Sequence, residues 1–110
     1  MTFPMTTQYI VGEFSALLGD LLPVPDDRLC GALLDLQREV EESPVSRLHL
    51  LARRAISLTD VICWVTLERG NMTRFCRDVD TAVALRQFTV SAKLLPEPKP
   101  NLDRIAPQWK

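Results

Sequence analysis

Apolar residues recur along this chain at the three- and four-residue spacing of helices that pack one face against a core. The first such run predicts a helix over residues 8–22, with Thr6 or Thr7 as its N-cap. Pro23 and Pro25 interrupt the pattern, and Asp26-Asp27 suit the positive end of a second helix, which we expect to run to Glu42. The core stripe predicted for helix one is Ile10, Val11, Phe14, Leu17, Leu18, Leu21 and Leu22, and that for helix two is Leu29, Leu33, Leu36 and Val40.

Two longer apolar runs follow, each bounded by turn signals. Ser43-Pro44 predicts the start of helix three, which we expect to end at Arg69, because Gly70 suits the left-handed residue that follows a helix. Asn71 or Thr73 then caps helix four, which continues to Leu95. The predicted seam of helix three is Leu48, Leu51, Ala55, Leu58, Ile62 and Val65, and the predicted stripe of helix four is Met72, Phe75, Cys76, Val79, Ala82, Val83, Val90 and Leu94. Leu85, Phe88 and Leu95 lie off that stripe, so we expect the apolar face of helix four to rotate in its second half.

Four helices with short connections predict an all-α fold, an antiparallel four-helix bundle with up-down-up-down topology over residues 1–95. An orthogonal packing of the same four helices is the alternative. The alternating prolines from Pro96 to Pro100 end helix four, so we expect residues 96–110 to form an extended, proline-rich C-terminal tail.

The predicted helix lengths leave one end of this bundle uncovered. Helices one and two have about 16 residues each, roughly 24 Å, whereas helices three and four have about 24, roughly 36 Å. Antiparallel packing across Ser43-Pro44 places Asp26 beside Val61, so roughly 12 Å of the hairpin of helices three and four should project beyond the first two helices. The projecting tip holds Ile62, Cys63, Trp64, Val65, Leu67, Met72, Phe75 and Cys76.

Exposed apolar surface of this kind predicts an interaction site. Self-association into a homodimer through the tip is the interpretation that we favour; the alternatives are cover by the tail, a tilted packing without an overhang, and an unidentified protein partner. Trp64 supports self-association because, with Leu50 and Val61, it lies on a helix-three stripe that is otherwise polar, and aromatic residues are enriched at interfaces. The candidate interaction residues are Val61, Trp64, Leu67, Met72, Phe75 and Trp109.

Composition narrows the classes of function. A hydrophobic fraction of 46% and a charged fraction of 25% are ordinary for a soluble globular protein, and a net charge of −1 gives no overall attraction to nucleic acid or anionic lipid. Residues 1–43 carry two arginines and eight acidic residues, a net of −6, whereas residues 44–110 carry eleven basic and six acidic residues, a net of +5. The two halves should therefore attract each other across the bundle; the alternative is that the second half presents a basic face to an acidic partner.

The cysteines and the apolar stretches indicate a location. The chain shows no secretory signal and has three cysteines, an odd number, so we expect free thiols in a reducing, cytoplasmic environment. The longest apolar stretch, residues 55–67, is interrupted by Asp60 and is shorter than the roughly 20 residues that a membrane span requires, so we expect no membrane association.

No group of residues predicts catalysis, a cofactor or a metal site. His49, the single histidine, lies roughly 21 Å along helix three from Cys63, too far for the two to share a metal ion with Cys30 and Cys76. We therefore predict a non-enzymatic interaction or adaptor module. The alternative is a nucleic-acid-associated regulator that uses arginines of helices three and four, although a pI near 5.8 disfavours nucleic acid as the partner.

Overall fold

The computed structural model describes residues 6–96, which form an antiparallel bundle of four α-helices. The helices are α1 (Thr7–Gly19), α2 (Asp27–Glu42), α3 (Leu48–Glu68) and α4 (Met72–Ser91), with a short 3-10 turn, Val45–Arg47, before α3. Each helix packs against the next in the chain, and α1 also packs against α4, which closes the bundle. The predicted all-α four-helix bundle is confirmed. The predicted tail lies, from residue 97 onward, outside the described residues.

Side chains cap three of the four helices, and the N-caps predicted for α1 and α4 are confirmed. The side chains of Thr6, Asp26 and Asn71 accept from the backbone N–H groups three residues ahead, at 3.1, 3.0 and 3.1 Å. Each bond satisfies one of the backbone donors that the first turn of a helix leaves free. The first turns of α1, α2 and α4 are therefore stabilised by side chains next to them in the sequence.

Three predicted helix ends were wrong by several residues. The N–H groups of Leu21 and Leu22 bond to carbonyls three residues back, so the chain tightens after Gly19 and turns before the proline. The 3-10 turn delays the start of α3 to Leu48. Lys93 adopts a left-handed backbone with φ of 61°, which ends α4 four residues before Leu95.

The core lies between the four helices and consists mainly of large aliphatic side chains. Phe14 of α1 meets Phe88 of α4 edge to face, with ring centroids 6.1 Å apart. The predicted stripes of α1 and α2 supply much of this core. The largest fully buried apolar residues are Phe14, Leu18, Leu21, Leu33, Leu36, Val40, Leu48, Leu51, Ile62 and Leu85.

The predicted apolar stripe of α4 is not its buried face, and this prediction was wrong. Met72, Cys76 and Val83 are exposed. The buried residues of α4 are instead Asp78, Thr81, Leu85 and Thr89, three of them polar. The helix is rotated because Asp78 forms an ion pair with Arg74, and because the threonine hydroxyl groups need no partner outside their own helix.

Threonines also occupy the buried face of α3. Thr59 donates its hydroxyl hydrogen to the carbonyl of Ala55 at 2.6 Å, and Thr66 donates to that of Cys63 at 3.0 Å. In α4, Thr81 and Thr89 bond in the same way to carbonyls three or four residues back. A buried hydroxyl that finds an acceptor on its own helix avoids the cost of an unmade hydrogen bond, so these residues pack like valines.

Candidate interaction surface

The tip of the α3–α4 hairpin is formed by a tight helix end at Gly70. The residue has φ of +71°, its N–H bonds to the carbonyl of Leu67 at 2.9 Å, and the N–H of Asn71 bonds to that of Thr66 at 3.1 Å. This pair of bonds ends a helix in a Schellman motif, which favours glycine at the left-handed position. The chain reverses within Arg69–Asn71 and holds the last turn of α3 against the first turn of α4.

Four of the candidate interaction residues are exposed around this turn. Trp64 is 61% exposed, more than any other large apolar residue among residues 6–96, and Met72 is 54% exposed. Val61 and Leu67 are 47% and 41% exposed. Phe75 is half-buried, and Trp109 lies outside the described residues. The tip therefore presents three aliphatic or thioether side chains and one indole ring to solvent.

The predicted overhang is smaller than the helix lengths suggested, so this expectation needs correction. Ile62 is fully buried, and so are Thr66 and Asp78, which should have lain beyond the first two helices. Glu39 of α2 pairs with Arg54 of α3 at 2.9 Å, whereas the predicted register placed Glu39 several residues nearer the start of α3. Because the 3-10 turn delays α3, helix α2 reaches further toward the hairpin tip.

The α1–α2 connection covers another part of the predicted overhang. Arg74 donates hydrogen bonds to the carbonyls of Leu21 and Pro23. Arg77 donates to those of Asp20 and Leu22, at 3.0 Å each. Arg74 and Arg77 lie about one helical turn apart on α4, and together they bind the carbonyls of four successive residues of the connection. What remains uncovered is the outward side of α3 and α4 and the last turn at Gly70.

Arg74 also forms an ion pair inside the bundle. Arg74, whose side chain is 12% exposed, donates from Nε to Oδ1 of the fully buried Asp78 at 2.8 Å. Asp78 is one helical turn further along α4, which is the spacing at which two side chains on a helix meet. Oδ2 of the same carboxylate has no hydrogen-bond donor among the described residues. The carboxylate therefore serves to orient the Arg74 guanidinium toward the connection.

These contacts also affect the nucleic-acid alternative. Arg69, Arg74 and Arg77 are the arginines nearest the hairpin turn on which that alternative depends. The guanidinium groups of Arg74 and Arg77 are bonded to backbone carbonyls, and Arg74 is largely buried. Arg69 and Arg77 are exposed, but Arg77 is engaged by the α1–α2 connection.

The outward side of α3 continues the surface away from the tip. Leu50 is 47% exposed and lies on the same side of the helix as Val61 and Trp64. Ser57 stands between them, next to a shallow groove of about 360 Å³ that α2 and α3 form together. On the side toward α4, Asp60 pairs with Arg86 at 2.9 Å, and both side chains are more than half exposed. The outward side of α3 therefore carries exposed apolar residues interspersed with charged ones.

The cysteines of the described residues are free thiols, and the pKa of one of them is raised. Cys30, Cys63 and Cys76 are all free thiols, as expected. Burial raises the pKa of the Cys63 thiol, and the carboxylates of Asp78 and Asp60 raise that pKa further. A thiol with a raised pKa is less often the reactive thiolate at neutral pH. No group of three or more His, Cys, Asp or Glu residues within residues 6–96 is placed to hold a metal ion.

Sequence reasoning identified the exposed tip residues but missed one kind of contact and one exposed residue. The hydrogen bonds from Arg74 and Arg77 to backbone carbonyls could not be predicted from the spacing of residues, because every residue has a carbonyl group. The exposure of Val83 was also missed, because its spacing fits the core stripe that was wrongly predicted for α4. The charge of Asp78 in the middle of that helix, and the position of Leu85 off the predicted stripe, were the signals that could have indicated the true buried face.

Comparisons of the chain with family models, with curated proteins and with solved structures give no match. Within residues 6–96, no helix has both the length and the apolar character required to cross a membrane.

Proposed function

We propose that this protein is a non-enzymatic helical interaction module that self-associates through the tip of the α3–α4 hairpin and the adjoining outward side of α3. The observation that carries the proposal is the exposure of Trp64, 61%, on a rigid helix with Val61, Leu67 and Met72 exposed around it. Covering an indole ring and its apolar neighbours stabilises a complex by about 2–3 kcal/mol for each large side chain that becomes fully buried. A second copy of the chain supplies the same apolar residues.

Two further features support this proposal. The tip is held in one conformation by the Schellman motif at Gly70 and by the arginine bonds to the α1–α2 connection, so little order has to be gained on binding. A reducing compartment such as the cytoplasm suits the three free thiols, one of which, Cys76, is exposed beside the tip.

The experiment is sedimentation velocity and light scattering over a protein concentration range of about 1–200 µM, chosen to span micromolar association. We expect the wild type to pass from monomer to dimer, and Trp64→Glu to remain monomeric because it removes the indole ring, the most exposed large apolar side chain among residues 6–96. Leu34→Glu is the matched control, because Leu34 is 48% exposed but lies on α2. A wild type that stays monomeric throughout contradicts the proposal, and a Trp64→Glu dimer would place the interface elsewhere.

A further inference from the structure

The outward side of α3 has an order of residues that is nearly symmetric about the middle of the helix. Seven positions alternate at spacings of three and four residues, so they form one line along the helix. Ala52, Thr59 and Thr66 lie on the opposite side and are fully buried, which directs this line toward solvent. We name it the outward stripe; its members are Arg47, Leu50, Arg54, Ser57, Val61, Trp64 and Glu68.

The outward stripe has apolar residues on both sides of its midpoint, and its two arginines lie in the first half. Leu50 on one side corresponds to Val61 and Trp64 on the other, with Ser57, a small residue, near the middle. Basic residues occupy the first half and Glu68 ends the second half. An interface formed by two identical copies about a twofold axis needs this property, because each residue must suit the residue that it meets in the other copy.

A second copy of α3 in antiparallel orientation meets the outward stripe in one favourable register. Pairing Leu50 with Val61 of the second copy places Trp64 against Arg47 of that copy, and Arg54 against its Ser57. Every pair then occurs twice, and the paired residues span roughly 26 Å of helix. The aliphatic pair is buried, the indole ring stacks on a guanidinium, and the small serine leaves room for the arginine stem.

Charges that flank the stripe select the same register. Arg53 and Asp60 are seven residues apart, so they lie on the same side of α3 two turns from each other, and both are exposed. Asp60 already pairs with the exposed Arg86 of its own chain, and the register above also brings Arg53 of the second copy next to it, twice. A parallel arrangement would instead place Arg47, Arg54 and Glu68 against themselves, and like charges in contact destabilise a helix pair.

We propose that the outward stripe of α3 pairs with the same stripe of a second copy in an antiparallel, twofold-symmetric interface in which Leu50 packs on Val61 and Arg53 pairs with Asp60. This inference rests on the proposed self-association and specifies its surface and register. The arginines within the stripe reduce its apolar area, so we expect a dissociation constant on the order of 10 µM.

Charge reversal tests the register. Arg53→Glu places two carboxylate pairs in its homodimer, and Asp60→Lys places two cationic pairs in its own, so each variant alone should dimerise about tenfold more weakly. An equimolar mixture of the two restores both opposite-charge pairs and should form a heterodimer with the affinity of the wild type. Glu13→Lys, an exposed reversal on α1, is the control and should leave dimerisation unchanged.

The outcomes separate the two proposals. A monomeric wild type overturns self-association and this interface with it. A wild-type dimer whose Arg53→Glu and Asp60→Lys variants show no preference for each other overturns the register alone, and leaves self-association through the tip in place.

A second measurement does not depend on weakened variants. Arg53→Lys keeps the charge, and a zero-length carbodiimide joins a lysine to a carboxylate only when the two are in contact. A mixture of isotopically light and heavy protein should give a mixed cross-linked peptide between Lys at position 53 and Asp60, because the two positions on one helix are roughly 10 Å apart along the axis. Cross-links confined to single chains, or none to Asp60, would overturn the register.

Discussion

At the scale of single residues, the most consequential feature is a charge in the core. Asp78 is fully buried, and its one hydrogen-bonded partner among residues 6–96 is Arg74, which also holds the carbonyls of Leu21 and Pro23. A buried ion pair adds little stability over apolar residues of equal size, but removing one member leaves the other charged, buried and unpaired. The pair therefore fixes where the α1–α2 connection lies more than it stabilises the fold.

Arg74→Met should therefore lower the free energy of unfolding by about 3–5 kcal/mol, because it strands the Asp78 carboxylate in the core. Asp78→Asn should cost about 1 kcal/mol, because its amide oxygen still accepts from Arg74. The double variant Arg74→Met/Asp78→Leu should recover much of the loss. Urea unfolding measures all three. Equal losses in the two single variants would show that the charge of Asp78 is not what Arg74 balances.

The thiol of Cys63 gives a prediction about pH. Burial and the carboxylates of Asp78 and Asp60 raise its pKa, so its thiolate fraction, and hence its alkylation by iodoacetamide, should rise at a higher pH than for an unperturbed cysteine. Asp60→Asn removes one of these charges and should shift the Cys63 profile toward lower pH. Mass spectrometry of each cysteine peptide follows the rates, with Asp80→Asn as the control. A Cys63 profile that coincides with that of a free cysteine would contradict this.

Residue type alone explains what could be predicted at this scale. Trp64 and Val61 stood out because apolar residues on a polar stripe break a simple rule, and both are exposed. Thr59 and Thr89 were not predicted as core residues, because threonine counts as polar in a sequence pattern. In the fold, each hydroxyl group bonds to its own helix and the side chain packs like an apolar one.

At the scale of helices, α3 and α4 end in the same way with different residues. The N–H of Lys93 bonds to the carbonyl of Val90 at 3.0 Å and that of Leu94 to Thr89 at 2.8 Å, which repeats the two bonds at Gly70. Lys93 has φ of 61°, a conformation that costs residues with a Cβ atom about 1 kcal/mol relative to glycine. One helix end is thus occupied by the residue that suits it, and the other is strained.

Lys93→Gly should therefore raise the free energy of unfolding by about 0.5–1 kcal/mol, and Gly70→Ala should lower it by about 1 kcal/mol. Lys93→Ala is the control, since it removes the charge but keeps the Cβ atom, and it should give no gain. Thermal and urea unfolding measure the three variants. A gain in Lys93→Ala as large as that in Lys93→Gly would assign the effect to the charge rather than to the backbone.

Helices were predicted well where their pattern agrees with their caps. The stripe of α2 was right because Leu33, Leu36 and Val40 are both apolar and buried, and Asp26 lies at the start of the helix, where its charge was expected. The face of α4 was wrong because two apolar lines compete on that helix, and the line chosen by spacing lacks Leu85. The tertiary contacts of Arg74 determine which of the two faces of α4 is buried. Hydrophobic periodicity contains no information about those contacts.

At the scale of the whole molecule, the hairpin tip depends on how the two halves of the chain meet. Glu39 pairs with Arg54, and Arg77 holds the connection between α1 and α2, so the acidic first half and the basic second half are joined by specific contacts rather than by net charge alone. Helix lengths overstated how far the hairpin projects beyond the first two helices, because a 3-10 turn and a loop occupy space that a count of helical residues ignores.

The exposed tip leads to a prediction about thermal stability. If a second copy covers Trp64, folded chains are stabilised by mass action, and the melting temperature should rise by about 3 °C for each tenfold increase in protein concentration above the dissociation constant. Trp64→Glu should abolish that slope, and Leu34→Glu should preserve it. Trp109→Ala separates self-association from cover by the chain's own C-terminal segment: the slope should stay unchanged when the second copy is the cover, and should increase when Trp109 competes for the tip. A melting temperature independent of concentration in the wild type would contradict self-association at this surface.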